Sequence, residues 1–177
     1  MSGQVGYKYL KTYQLATIIY DLTSEFCAKF LPGDEWLRQR SQMIQAGRSG
    51  KQNIAEGYLE KSLKMYIKLI SVSRGSLGEL LVDYEDFARQ RKLAIWDKND
   101  PRVLRDRKMR WSGKPGKSGE IRIQKPDLPD NPEDAVNLLI TLLNQNIYLL
   151  NRQIEALEKK FNQEVGYSEN FFQERLK

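Results

Sequence analysis

Three glycines fall inside a stretch that otherwise scans as helix: Gly47-Arg48-Ser49-Gly50-Lys51-Gln52-Asn53-Ile54-Ala55-Glu56-Gly57-Tyr58. Each should cost ~1 kcal/mol against alanine at an interior helical position. Gly47, Gly50, Ile54 and Gly57 recur at i, i+3, i+7 and i+10, so they share one helical face. A face this narrow suits the close approach of a neighbouring helix. Trp36, Arg40 and Met43 carry the same spacing upstream, and the stretch predicts a helix over about 34–60, capped by Asp34. Gly75, Ser76 and Gly78 make a second narrow place, which is expected to oppose the first.

The helix that carries this second place is predicted over about 62–92, with Ser62 as its cap. Tyr66, Leu69, Ile70, Ser73, Leu77, Leu80, Tyr84 and Phe87 form its stripe. Upstream, Leu15, Ile18, Ile19, Leu22, Phe26 and Phe30 predict a helix over about 8–30, stopped by Leu31-Pro32-Gly33. Downstream, Asn131-Pro132-Glu133-Asp134 reads as a helix start, with a cap, a proline in the first turn and acids behind it. From there Val136, Leu139, Leu143, Ile147, Leu150, Ile154, Leu157 and Phe161 alternate by three and four to about 162. Leu138, Leu142 and Leu149 broaden this stripe to more than one partner face. Four amphipathic helices predict one all-α domain over 1–177, an up-down four-helix bundle. A long basic loop (96–131) joins helices three and four, and a short C-terminal tail (163–177) with three aromatics is expected to dock on something.

The loop holds the charge. The chain carries +6 overall. Nine basic residues lie between positions 102 and 125, namely Arg102, Arg105, Arg107, Lys108, Arg110, Lys114, Lys117, Arg122 and Lys125, against the two acids Asp106 and Glu120. Trp111 sits among them. Cations neutralise phosphates and an aromatic ring can stack on an unpaired base, so these ten residues are the candidate nucleic-acid-binding set. An acidic protein partner and simple solvation are the competing readings. Met109-Arg110-Trp111 and Ile121-Arg122-Ile123 could pair as a short hairpin.

Catalytic chemistry finds little support. The chain has no histidine and one cysteine, Cys27, which removes histidine-assisted nucleophiles and the usual zinc sets. Cys27 borders the first stripe and reads as a buried, inert thiol. Gly113-Lys114-Pro115-Gly116-Lys117-Ser118 ends like a phosphate-binding loop, but Trp111 stands where its first glycine should be. Glu56 and Glu79 lie on narrow helix surfaces. Glu56 with Asn53 is expected to satisfy exposed backbone at the helix end, or Glu56 or Glu79 to pair with Arg48 or Arg74. No metal, no cofactor and no enzymatic activity are expected. No apolar run approaches the ~18 residues of a membrane span. The start of the chain lacks an apolar signal core, so a reducing cytoplasm is the expected compartment.

Two motifs carry a family resemblance. Asn53-Ile54-Ala55-Glu56-Gly57 resembles the Asn-Ile-Ala-Glu-Gly signature of the four-helix-bundle proteins related to the 23S rRNA intervening-sequence proteins. Ser71-Val72-Ser73-Arg74-Gly75-Ser76-Leu77-Gly78-Glu79-Leu80 resembles their second signature. Gly47, Gly50, Asn53, Glu56, Gly57, Gly75 and Glu79 are the structural positions in these stretches. The C-terminal part, with Asn144-Gln145-Asn146-Ile147-Tyr148 and Gly166-Tyr167-Ser168-Glu169, resembles the "four helix bundle suffix" branch. The same group includes Avd, the accessory protein of diversity-generating retroelements. The resemblance implies a non-catalytic homopentamer that binds RNA or DNA and partners a reverse transcriptase. Without a nucleic-acid role, the same bundle would serve as a protein-interaction scaffold.

Overall fold

A computed structural model describes residues 6–109 and 123–175, with the side chains of 6–108 and 123–165. These residues are all-helical and contain no strand. A 3-10 turn at Gly6–Tyr9 leads into α1 (Lys11–Phe30), and a second at Asp34–Trp36 leads into α2 (Leu37–Leu59). Then come α3 (Leu63–Gln90), α4 (Pro101–Met109) and α5 (Pro132–Arg175). Packing joins α1 to α2, α2 to α3, α3 to α5 and α5 back to α1, while α4 lies on α5.

The core follows from the stripes. Leu15, Ile19 and Leu22 of α1 are buried with Met43 and Ile54 of α2, with Ile70, Leu77 and Leu80 of α3, and with the long apolar run of α5. Residues 135–143 of α5 are buried on every face, because α1, α3 and α4 all pack on this helix. At one end of the core Phe26 stacks edge-on against Tyr84 and Phe87, with ring centroids 4.9 and 4.8 Å away. The Tyr84 hydroxyl is hydrogen-bonded to the Thr23 hydroxyl at 2.9 Å, so this buried ring keeps a polar partner. Toward the other end the contacts are polar. Thr12 donates to Gln153, and Gln153 donates to the Tyr66 hydroxyl. Asn146, fully buried, donates to the Thr12 carbonyl.

The helix ends have local causes. The Ser62 hydroxyl accepts from the Met65 amide, and the Asn131 side chain accepts from the amides of Glu133 and Asp134. At the end of α3, Lys92 takes a left-handed φ of 55°. The amides of Lys92 and Leu93 turn back to the carbonyls of Arg89 and Ala88, a Schellman closure. Asp34 does not cap α2 as expected, for it lies inside the preceding 3-10 turn and makes no side-chain cap. The corner is held by Arg40, whose guanidinium donates to the carbonyls of Leu31 and Gly33 at 2.6 and 3.1 Å.

Three boundary expectations change. The first helix begins at Lys11, after the 3-10 turn, rather than near residue 8. The loop expected over 96–131 contains α4, which starts at Pro101 with the Asp100 carboxylate accepting from the Arg102 amide at 2.9 Å. The tail expected from 163 is instead helical through Arg175. One glycine, Gly166, costs ~1 kcal/mol in a helix and does not by itself end one. Docking of the tail aromatics and the hairpin strand at 121–123 rest mainly on residues or side chains outside those described.

The glycine pairing is also corrected. Gly47, Gly50 and Gly57 are buried, but they do not meet Gly75 and Gly78. They receive large side chains instead. A Cβ on Gly50 would lie 2.5 Å from Leu77, and one on Gly57 would lie 2.9 Å from Tyr66. Gly47 has ordinary room against Tyr20 and Leu80. The Ser73 hydroxyl donates to the Gly50 carbonyl at 2.7 Å and fixes the approach of α2 to α3. Gly75 and Gly78 lie off the core stripe of α3, and a Cβ on either would meet nothing within 4 Å.

Candidate nucleic-acid interface

The basic segment leaves the bundle through α4 and returns along α1. Val103 buries the inner side of α4. On the return, the Ile123 amide donates to the Gln14 side chain at 2.9 Å, and Lys125 pairs with Glu25 of α1 at 2.7 Å. Both ends of the segment are therefore anchored. Of the ten candidate residues, Arg102, Arg105, Arg107, Lys108 and Lys125 can be placed. Arg110, Trp111, Lys114, Lys117 and Arg122 lie outside the described residues.

Two of the five placed cations are taken up by the fold. Arg102 makes a forked contact with Asp100, at 3.0 and 2.9 Å, and its guanidinium stacks 3.7 Å from the centre of the Trp96 ring. Trp96 is itself fixed, with its indole N–H donating to Glu133 and its amide to Asn137. Arg102 thus joins α4 to the start of α5 and is not available as a free phosphate ligand. Lys125 is held by Glu25. Arg105 pairs with its neighbour Asp106 at 3.3 Å. Arg107 and Lys108 stand in the last turn of α4, where the helix dipole favours positive charge. They make no ion pair among the described residues. A cleft of about 500 Å³ is lined by Arg105 and Asp106 of α4 and by Gln124, Lys125 and Asp127 of the returning segment, a mixture of both charges.

Other basic residues divide by position. Lys61, Lys64 and Lys68 lie at the start of α3, while Arg89, Arg91 and Lys92 lie at its end, about 40 Å away along a helix of this length. They cannot all extend one patch. The second group is on the side from which α4 departs. There Arg91 packs over Phe87 and Trp36, and Arg89 pairs with Asp86.

The acids near α4 respond to these contacts. Hydrogen bonds from the Arg102 side chain and amide hold Asp100 down to about 2. The Trp96 indole and the Ala94 amide hold Glu133 below its ordinary range. A lowered carboxylate contributes stability above its unfolded pKa of ~4, and that contribution is lost as pH falls through the folded value. The Trp96 indole N–H resonance should therefore hold its position at neutral pH and move at a lower pH than that at which an ordinary glutamate titrates. Its displacement between ~6 and ~5 would contradict the Glu133 assignment, and Glu133→Gln should abolish the transition.

The remaining candidates are structural. Asn53 donates to the Ser49 carbonyl and hydroxyl, one turn back rather than at the helix end, and Ser49 is hydrogen-bonded to Ser76 of α3 at 3.0 Å. Glu56 and Glu79 are exposed, and no ion pair to Arg48 or Arg74 forms. Arg74 reaches Asn151 of α5 instead. Burial pushes the Cys27 thiol up to about 12. Among the described residues no group of His, Cys, Asp and Glu could hold a metal, and no helix is long and apolar enough to cross a membrane.

Residues 8–98, which span α1 to α3 and both signatures, match the 23S rRNA-intervening sequence protein family. The chain belongs to this family. The match stops before α4, so the basic segment and α5 lie beyond it. No curated protein and no solved structure matches the chain.

Proposed function

We propose that this member of the family is a non-catalytic, homo-oligomeric accessory protein that binds RNA or DNA electrostatically. In this reading α1, α2, α3 and α5 form an up-down four-helix bundle, and the segment from Arg105 to Arg122 is the contact surface. One observation carries it: the chain gathers its basic excess in a segment anchored at both ends, and among the described residues Arg107 and Lys108, at the end of α4, make no ion pair. The family's name associates it with ribosomal RNA, which agrees in kind. The resemblance to the retroelement accessory protein extends the proposal to a reverse transcriptase partner and a pentameric, cytoplasmic assembly.

The mixed charges of the cleft favour a second reading, a scaffold that binds protein alone. Purification at low salt separates the two. Nucleic-acid binding predicts excess absorbance at 260 nm that nuclease removes, and retention of added RNA or DNA by the purified chain. A nuclease-insensitive protein partner, with no binding of either nucleic acid at low salt, would support the scaffold. Light scattering tests the assembly: a monomer at micromolar concentration would overturn it.

A further inference from the structure

The end of the bundle where α1 starts and α2 meets α3 carries a chain of tyrosines. Tyr7 of the first 3-10 turn makes an edge contact with Tyr13 of α1, with ring centroids 4.8 Å apart, and with Tyr58 of α2, at 6.5 Å. Tyr58 continues the chain to Tyr66 of α3 at 6.2 Å. The Tyr66 hydroxyl accepts from Gln153 of α5 at 2.8 Å, and the Tyr58 ring lies against Gly6, where any Cβ would strike its hydroxyl. Rings braced on one another in this way are placed before anything binds, which lowers the ordering cost of an encounter. The aromatic cluster at the opposite end, Phe26, Tyr84 and Phe87, is fully buried, whereas Tyr58 is 41% and Tyr9 36% exposed. A tyrosine so placed shows solvent an apolar ring as well as a polar tip.

Lysines surround these rings. Residues 6–13 and 56–68 hold Lys8, Lys11, Lys61, Lys64 and Lys68 against the two acids Glu56 and Glu60. Lys64 shares a groove with Glu158 of α5, while Lys8, Lys61 and Lys68 make no ion pair among the described residues. The basic segment returns to the bundle beside the same turn. The amide of Ile123 donates to Gln14 Oε1 at 2.9 Å, and Gln14 Nε2 donates to the Lys8 carbonyl at 3.0 Å. One side chain therefore joins the end of the basic segment to the turn that bears Tyr7, Lys8 and Tyr9.

We propose that the tyrosine end continues the basic segment into a surface for single-stranded nucleic acid, with unpaired bases stacking on Tyr58 and Tyr9 and phosphates meeting Lys8 and Lys61. The inference rests on the nucleic-acid reading above and adds a substrate class to it, unpaired strands in preference to duplexes. In a duplex the bases stack on one another inside the helix and cannot splay out onto a tyrosine, while lysines meet phosphates in either form. Every base has a π face, so stacking at this end gives a preference for single strands without one for sequence.

Binding of oligouridine, and of an oligoadenine–oligouridine duplex of the same length, tests it at low salt. The wild type should favour the single strand. Tyr58→Leu with Tyr9→Leu should weaken oligouridine binding about tenfold, within the range for lost base–aromatic stacking, and leave duplex binding unchanged. Tyr58→Phe with Tyr9→Phe keeps both rings and should bind like the wild type. A strand of the same length without bases, offered to the wild type, needs no substitution and should also bind about tenfold more weakly than oligouridine. Equal binding of the base-free strand and oligouridine overturns the inference, whether or not the leucine variant folds. So does a folded leucine variant, with the parent's circular dichroism, that keeps its oligouridine affinity or loses both probes equally. A changed mass of that variant in light scattering would make this end a protein contact, and wild-type binding to phosphatidylserine vesicles without any tyrosine effect on oligouridine would make it a lipid contact; either overturns the inference. All of these results leave the basic segment's role standing. Failure of the wild type to bind either probe would instead remove the nucleic-acid reading, and this inference with it.

Discussion

Phe26→Ala is expected to lower the unfolding free energy by about 3–5 kcal/mol, the range for removing a large buried aromatic. Phe26 is fully buried and packs on Phe30, Tyr84 and Phe87 at centroid distances of 4.8–4.9 Å. These rings belong to α1 and α3, so the substitution opens a cavity where two helices meet. Neighbours can close it only by moving Tyr84, whose hydroxyl is held by Thr23. Urea unfolding should show a lower midpoint with an unchanged slope. Phe30→Ala, at a partly buried ring, should cost distinctly less. Equal losses at the two positions would mean that the aromatic cluster is not the anchor of this end.

Gly50→Val should destabilise by about 3 kcal/mol, the upper part of the range for overfilling a packed site. The added Cβ falls 2.5 Å from Leu77 Cδ2 and 2.7 Å from Leu77 Cγ. The backbone cannot retreat freely, since the Ser73 hydroxyl holds the Gly50 carbonyl across the same contact. Gly47→Ala is the contrast. Its Cβ would find its nearest atom at 3.4 Å, and the better helix propensity of alanine should leave the protein as stable or up to ~1 kcal/mol more stable. A double-mutant cycle of Gly50→Ala with Leu77→Ala should show a favourable coupling, because the second change removes the group that the first one strikes. Additive losses would place the strain elsewhere.

These two sites show what the sequence could reveal. The four long stripes are legible because buried positions repeat by three and four over many turns, and Phe26, Leu77 and Tyr84 all fall on them. The glycine face of α2 is legible for the same reason. Its partner is not, although the signal was present: Gly75 and Gly78 fall between the positions of the Ser73–Leu77–Leu80–Tyr84 stripe and so face away. α4 escaped because a nine-residue helix, with Val103 its one buried side chain among those described, is too short to show a repeat. Its start carries the same proline signal as Pro132, with Asp100 in the role of Asn131, and could have been found. The role of Arg102 has a local trace in Asp100-Pro101-Arg102. Lys125 has none, since its partner Glu25 is a hundred positions away. Charge along a sequence counts cations without showing which the fold has already paired.

The central claim is that the basic segment binds nucleic acid by its charge. The affinity of the wild type for single-stranded RNA, measured across a salt series, tests it against a variant with Arg105, Arg107, Lys108 and Arg110 changed to serine. Each phosphate contact adds about 0.7 to the slope of log affinity against log salt on a single strand, so the four changes together should make it shallower by up to ~3 and weaken binding at low salt. Equal affinities and equal slopes for the two proteins would contradict the claim.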